Sequence, residues 1–186
     1  MSGQEENKLN HKSEIIIAGS GGQGQIFAAT VLADAAILEG KNVVQTQTYG
    51  IAQRGGFSSA EVIMDKDDIL FHQVEKPDMI IVLNESAVGR YSNTVATVLY
   101  DNSLIKDGKG NNWHGLPFAK IAAEIGDGKV ANLVAVGAMI YMSKVVSYDS
   151  IVSAIRRKFS AAVAEKNVAA INSGMKAAET LIKRTG

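Results

Sequence analysis

Five residues, Glu14-Ile15-Ile16-Ile17-Ala18, run directly into Gly19-Ser20-Gly21-Gly22-Gln23-Gly24, and a helical pattern opens at Gln25. A short β-branched run of this kind suits a strand buried on both faces of a parallel sheet. Ile26, Ala29, Ala33 and Ala36/Ile37 then recur at helical spacing, and Gly40 is placed to end the helix. Residues 43–47 read as a second strand. Strand, glycine turn, helix and strand within about thirty residues make a βαβ unit, the building block of a parallel sheet.

The rest of the chain extends that opening. Residues 60–64 and 79–83 read as strands, the second the most apolar of all and entered through Lys76-Pro77-Asp78. Residues 84–91 suit a short helix capped by Asn84. Residues 95–100 suit a further strand, and 103–115 a loop. Pro117 fits the first turn of a helix reaching Ile125. From Asn132 onward the pattern is helical; residues 131–142 are apolar on nearly every side, which predicts burial in the core or against another subunit. Early strand–helix alternation followed by gathered helices predicts one α/β, Rossmann-like domain over residues 14–186, with a mainly parallel sheet and a helical C-terminal layer. Residues 1–13 are polar and read as a disordered tail.

Charge and cysteine content narrow the chemistry. Nineteen basic and 19 acidic side chains cancel, so no long-range field draws the chain to nucleic acid or an anionic membrane. No run approaches the ~20 apolar residues of a membrane span, and the polar start lacks a signal-peptide core. The expected compartment is the cytoplasm. There is no cysteine, hence no disulfide, thiolate nucleophile or Cys-ligated iron–sulfur cluster. His11, His72 and His114 lack metal-ligand spacing, and no metal site is expected.

Gly19, Gly21 and Gly24 satisfy G-x-G-x-x-G in its proper setting, after a strand and at a helix start. Such a loop brings backbone amides and the positive end of a helix up to an anion. The carboxylate that a dinucleotide site places on the second strand is missing, because that strand ends Gln45-Thr46-Gln47-Thr48. Bound NAD is therefore disfavoured, and close helix–strand packing remains an alternative role for the glycines. A second glycine-bearing loop, Tyr49-Gly50-Ile51-Ala52-Gln53-Arg54-Gly55-Gly56, would fall on the same sheet edge, where open α/β sheets bind ligands. Arg54 offers a guanidinium fork for a carboxylate or phosphate, and Gln53 and Tyr49 add hydrogen-bonding groups. The candidate cofactor-binding set is thus Gly19, Gly21, Gly22, Gln23, Gly24, Tyr49, Gly50, Gln53, Arg54, Gly55 and Gly56. No catalytic residue is assigned; Asp34, Asp78 and Glu85 lie near element ends, where carboxylates serve as caps or surface charges.

Together these loops resemble the gamma subunit of 2-oxoacid:ferredoxin oxidoreductases. The resemblance continues through Val74-Glu75-Lys76-Pro77-Asp78, Pro117-Phe118 and Ala131-Asn132-Leu133-Val134-Ala135-Val136-Gly137-Ala138, covering roughly residues 14–179. It implies a multisubunit enzyme using thiamine diphosphate, magnesium, iron–sulfur clusters and coenzyme A through other subunits, with none bound by this chain alone. Alpha, beta and ferredoxin-like delta subunits are the implied partners, and ferredoxin the electron acceptor. Gly126-Asp127-Gly128 lacks the downstream asparagines of a thiamine diphosphate motif and reads as a turn. Gln45-Thr46-Gln47-Thr48-Tyr49-Gly50 looks most like the 2-oxoglutarate type, whereas residues 50–56 are close to the indolepyruvate type. An indolepyruvate- or pyruvate-type small subunit, a stand-alone nucleotide-binding protein and a purely structural interaction module are the alternatives.

Overall fold

A computed structural model describes residues 12–50 and 56–185. Most of the expected tail, residues 1–11, lies outside the described residues. In chain order the elements are β1 (Ser13–Ser20), α1 (Gln25–Leu38), β2 (Asn42–Tyr49), β3 (Phe57–Asp65), β4 (Met79–Val82), α2 (Glu85–Tyr91), β5 (Thr97–Asp101), β6 (Trp113–Leu116) and α3 (Phe118–Glu124). A 3₁₀ turn, Gly128–Val130, leads into α4 (Ala131–Ser143), α5 (Tyr148–Lys158) and α6 (Ala161–Thr185).

One six-stranded sheet runs in the order β2-β3-β1-β4-β5-β6. The pairs β1–β4, β4–β5 and β5–β6 are parallel, and β3 lies antiparallel to both β1 and β2. The βαβ reading of the opening therefore needs a correction. β2 does run in the direction of β1, but β3 turns back and occupies the place between them. The connection from β2 to β3 spans only residues 50–56, too few for a parallel crossover, which needs a dozen or more. β6 also begins inside the stretch expected to be loop, residues 103–115; a four-residue edge strand holds its place by burying Trp113 and Leu116.

Alternation along the strands sorts the core into two layers. Ile15, Ile17, Val62, Met64, Ile81 and Leu99 face α1 and α3–α6 on one side. Ile16, Ala18, Ile80, Val82 and Val98 face a thinner cover on the other, made by Ala87 and Val88 of α2 with Ile105 and Trp113. Each fully buried aliphatic side chain contributes roughly 1.5–3 kcal/mol, so the helical side dominates stability.

Helix α1 ends as its sequence foretells. Gly40 takes φ 76°, its amide donates to the Ile37 carbonyl, and the Lys41 amide donates to that of Ala36. Ile37, however, is 58% exposed rather than core-facing. The apolar α4 lies inside the domain, beneath α6. At their crossing a Cβ on Gly137 would collide with the Ile171 backbone, and one on Gly174 with the Val134 carbonyl. Among the described residues no helix is long and apolar enough to cross a membrane.

Candidate functional site

Strands β1, β4 and β5 end together at one sheet edge, and the glycine loop crowns it. Gly22 and Gly24 adopt φ of 95° and 75°, a left-handed backbone that only glycine enters cheaply. The loop is braced from inside. The Gln23 side-chain oxygen accepts from the Ser20 amide at 2.8 Å and its Nε2 donates to the Leu83 carbonyl at 3.0 Å. Gln25, buried at the start of α1, donates to the Ser20 carbonyl at 2.8 Å. Gly19 is closed around, since a Cβ would lie 2.5 Å from the Gln23 oxygen. Gly21 and Gly22 instead face solvent.

The N-cap of α1 is Gly24, which offers no side-chain acceptor, so the amides of Gln25, Ile26 and Phe27 have no acceptor among the described residues. Glycines presented to solvent beside three such amides form a surface suited to an anion such as a phosphate. Asn132, the first polar residue of α4, reaches this point: its Nδ2 donates to the Gly24 carbonyl at 2.9 Å while its Oδ1 accepts from the Leu133 amide at 2.7 Å.

The second loop meets the first. The Gly21 amide donates to the Gly56 carbonyl at 2.9 Å, and the Gly50 amide to the Phe57 carbonyl at 2.7 Å. Tyr49 ends β2 with 61% of its surface exposed. Gln53, Arg54 and Gly55 lie outside the described residues. Below the loop, the Arg90 guanidinium sits 4.0 Å from the Phe57 ring centroid. Burial, with the Glu61 carboxylate adding to it, pushes the Tyr91 phenol up to about 12, so it stays neutral at physiological pH. On the same edge a hollow of about 420 Å³ is lined by Glu85, Leu104, Lys106, Asp107 and Lys109.

Two of the three carboxylates singled out by position take structural roles, and the third, Glu85, stands in the first turn of α2. Asp34 pairs with Lys158 at 3.0 Å, and Asp78 accepts the Glu14 amide at 2.8 Å. Asp127 caps the Lys129 amide at 3.1 Å and pairs with Lys166 at 3.5 Å, so Gly126-Asp127-Gly128 is a turn whose carboxylate is already engaged. That arrangement does not fit a magnesium–diphosphate site. With no cysteine, the chain does not fit an iron–sulfur cluster either. What fits the glycine edge is a phosphate-bearing ligand. A dinucleotide fits less well, because β3 displaces the end of β2 by a further strand spacing, about 5 Å, from β1.

The fold recurs among known proteins. The profile of the pyruvate ferredoxin/flavodoxin oxidoreductase family matches residues 14–177. The chain belongs to this family. It is 45% identical over 132 residues to a 2-oxoglutarate synthase subunit KorC of Archaeoglobus fulgidus, 69% of each chain. To that of Methanocaldococcus jannaschii it is 35% identical over 185 residues, 95% of this chain and 99% of the relative. A ketoisovalerate oxidoreductase subunit VorA of Methanothermobacter marburgensis is 33% identical over 77% of this chain, which matches only 31% of that longer subunit.

Among solved structures, the gamma subunit of a keto/oxoacid ferredoxin oxidoreductase from Geobacter sulfurreducens superposes with a TM-score of 0.78 at 31% identity, over 90% of this chain and 99% of that one. The same fold recurs in 31% of a chain of the Magnetococcus marinus 2-oxoglutarate:ferredoxin oxidoreductase, solved with 2-oxoglutarate, coenzyme A and succinyl-CoA, at TM-score 0.81 and 21% identity over 91% of this chain. The protein is thus one subunit of a multisubunit oxidoreductase, and the family resemblance read from its loops holds.

Asn132, Gln25 and Leu83 brace the glycine loop although none is in the sequence-derived set. Asn132 had a legible signal: a lone amide in an apolar helix must find a hydrogen-bond partner once buried.

Proposed function

We propose that this chain is the gamma-type subunit of a 2-oxoglutarate:ferredoxin oxidoreductase. The assembled enzyme converts 2-oxoglutarate and coenzyme A to succinyl-CoA and CO2, releasing a proton and passing two electrons to ferredoxin. The similarity to 2-oxoglutarate synthase subunits, 45% and 35% identical, carries this reading. Thiamine diphosphate, magnesium and iron–sulfur clusters belong to alpha, beta and ferredoxin-like delta subunits, consistent with a chain that lacks ligands for them. The gamma chain supplies no acid, base or nucleophile. Its glycine edge orients the phosphate-bearing part of coenzyme A: the exposed Gly21 and Gly22 and the first-turn amides of α1 support this role.

The test is to tag the chain in its native host, purify it without oxygen, and assay CoA-dependent reduction of a ferredoxin surrogate. Activity on 2-oxoglutarate, well above that on pyruvate and indolepyruvate, is the expected result. A complex that prefers pyruvate or indolepyruvate overturns the substrate reading. A chain that emerges alone and colourless overturns the subunit reading.

A further inference from the structure

Exposed apolar side chains are distributed unequally between the two ends of the sheet. Near the glycine-loop end stand Tyr49, Leu104 and Val163. At the opposite edge, Leu70 and Phe71 are adjacent on the connection from β3 to β4 and are 82% and 68% exposed. Val95, ahead of β5, is 99% exposed, and Ile37 at the end of α1 joins them. The same end carries a groove of about 800 Å³ lined by Tyr141, Met142, Val146, Tyr148, Met175 and Ile182. Methionine-rich, aromatic-walled grooves adapt readily to an apolar partner.

Hydrogen bonds tie both the β3–β4 connection and the groove wall to one short segment. The Asn42 side-chain amide donates to the carbonyls of Lys66 and Asp67 at 3.4 and 3.1 Å. Lys41 donates to the Val145 carbonyl at 2.5 Å, and the Ser147 amide donates to Glu39 at 2.6 Å. Residues 39–42 therefore hold the base of the β3–β4 connection on one side and the groove wall on the other. The far end of that connection is pinned as well: the Glu14 carboxylate accepts the amides of Glu75 and Lys76, both at 2.8 Å. Leu70 and Phe71 are thus presented outward on an anchored base.

We propose that this end of the molecule, with Leu70 and Phe71 as anchors, docks on the larger subunit of the chain's own oxidoreductase. The length comparison identifies the occupant. In the longer VorA subunit and the Magnetococcus chain, this module forms about a third of one polypeptide, matching 31% of each. There the remaining two thirds are tethered next to it; a separate chain must keep such a neighbour through a non-covalent apolar contact. A second copy of the module would not reproduce that arrangement. Charge adds a chemical requirement. Glu39 is engaged by Lys41 at 3.1 Å and by the Ser147 amide, whereas Lys144 lines the groove with no ion pair among the described residues. The docking surface of the larger subunit accordingly presents aliphatic or aromatic side chains beside a carboxylate.

The inference stands whichever 2-oxoacid the complex oxidises. It is tested by purifying tagged chain from its native host, with the co-purifying larger subunit identified by mass. Leu70→Asp combined with Phe71→Ser should leave the melting temperature of the chain within about 4 °C, as for other exposed positions, and reduce recovery of the larger subunit at least about tenfold. Ser153→Asp, on the exposed face of α5 away from both ends of the sheet, should leave recovery unchanged. Because the chain has no cysteine, Leu70→Cys carries a crosslinker at a single site, and its adduct should map to the larger subunit. This adduct decides the matter if the double variant folds poorly. Full recovery of a folded double variant, an equal loss of recovery with Ser153→Asp, or an adduct to a second copy of this chain would each overturn the proposal.

Discussion

The side-chain amide of Asn132 donates to the carbonyl of Gly24 at 2.9 Å, joining the buried helix α4 to the glycine loop across 108 residues of sequence. Gly24 cannot carry a side chain here, because its φ is 75° and a Cβ would strike the Asn132 amide nitrogen. Loop and helix therefore fix each other: the asparagine holds the N-cap in place, and the glycine leaves room for the asparagine.

Asn132→Ala removes that donor and the acceptor for the Leu133 amide inside the core. The expected cost is about 1–3 kcal/mol, read from urea unfolding of the chain. In the assembled enzyme the loosened loop should raise KM for coenzyme A more than it lowers kcat. A fall in kcat with KM for coenzyme A unchanged would instead count against a role in ligand placement.

The crossing of α4 and α6 makes a sharper prediction about stability. Gly137 and Gly174 let two helix backbones touch, and in each case the obstacle to a Cβ is backbone, which cannot swing aside. Gly137→Ala or Gly174→Ala should each destabilise by about 3 kcal/mol or more. Gly89 in α2 has nothing within 4 Å of its would-be Cβ. Gly89→Ala should therefore stabilise, by roughly 0.5–1 kcal/mol, through helix propensity alone. Opposite signs in one unfolding series check both statements.

Acid sensitivity is expected to centre on Glu14. Burial alone would raise its pKa, but the Lys12 ammonium and the Lys76 and Glu75 amides outweigh burial and hold the carboxyl below its ordinary value of 4.5. A depressed folded pKa contributes stability above the unfolded value, and that contribution is lost as pH falls through the folded one. Wild-type stability should decline as pH drops below about 4.5. Glu14→Gln should be less stable at pH 7 and show a flatter acid limb in thermal melts across pH 3–7.

Much of this architecture could be read from local chemistry. The β-branched run before Gly19, the Asn84 cap, whose side chain accepts the Ser86 amide at 3.0 Å, and the Gly40 terminus each declare themselves through residues close in sequence. What escaped is non-local. Nothing in Phe57–Asp65 states that β3 inserts between β1 and β2; only the shortness of the preceding connection hints at a reversal. Trp113-His114-Gly115-Leu116 is too short and too polar to display a strand period, and its strand character comes from pairing with β5. At the site, the meeting of Gly21 with Gly56 follows from the strands that carry them to one edge, while the Asn132 contact depends on how α4 packs, which sequence spacing does not encode.

Gly21 and Gly22 separate ligand contact from backbone strain. Gly22 has φ 95°, so Gly22→Ala pays a left-handed penalty of about 1–2 kcal/mol even though open space surrounds it. Gly21 takes no such conformation, and its would-be Cβ meets only the Gly56 carbonyl at 4.0 Å. Gly21→Ala should accordingly fold and assemble as wild type, with melting temperature unchanged within error. If coenzyme A phosphate lies against this loop, the added methyl group stands in its path, and KM for coenzyme A should rise about tenfold with 2-oxoglutarate KM unaltered. That rise corresponds to roughly 1.4 kcal/mol of lost binding. A folded, assembled Gly21→Ala enzyme with wild-type KM for coenzyme A would place the ligand elsewhere and leave the glycines to helix–strand packing.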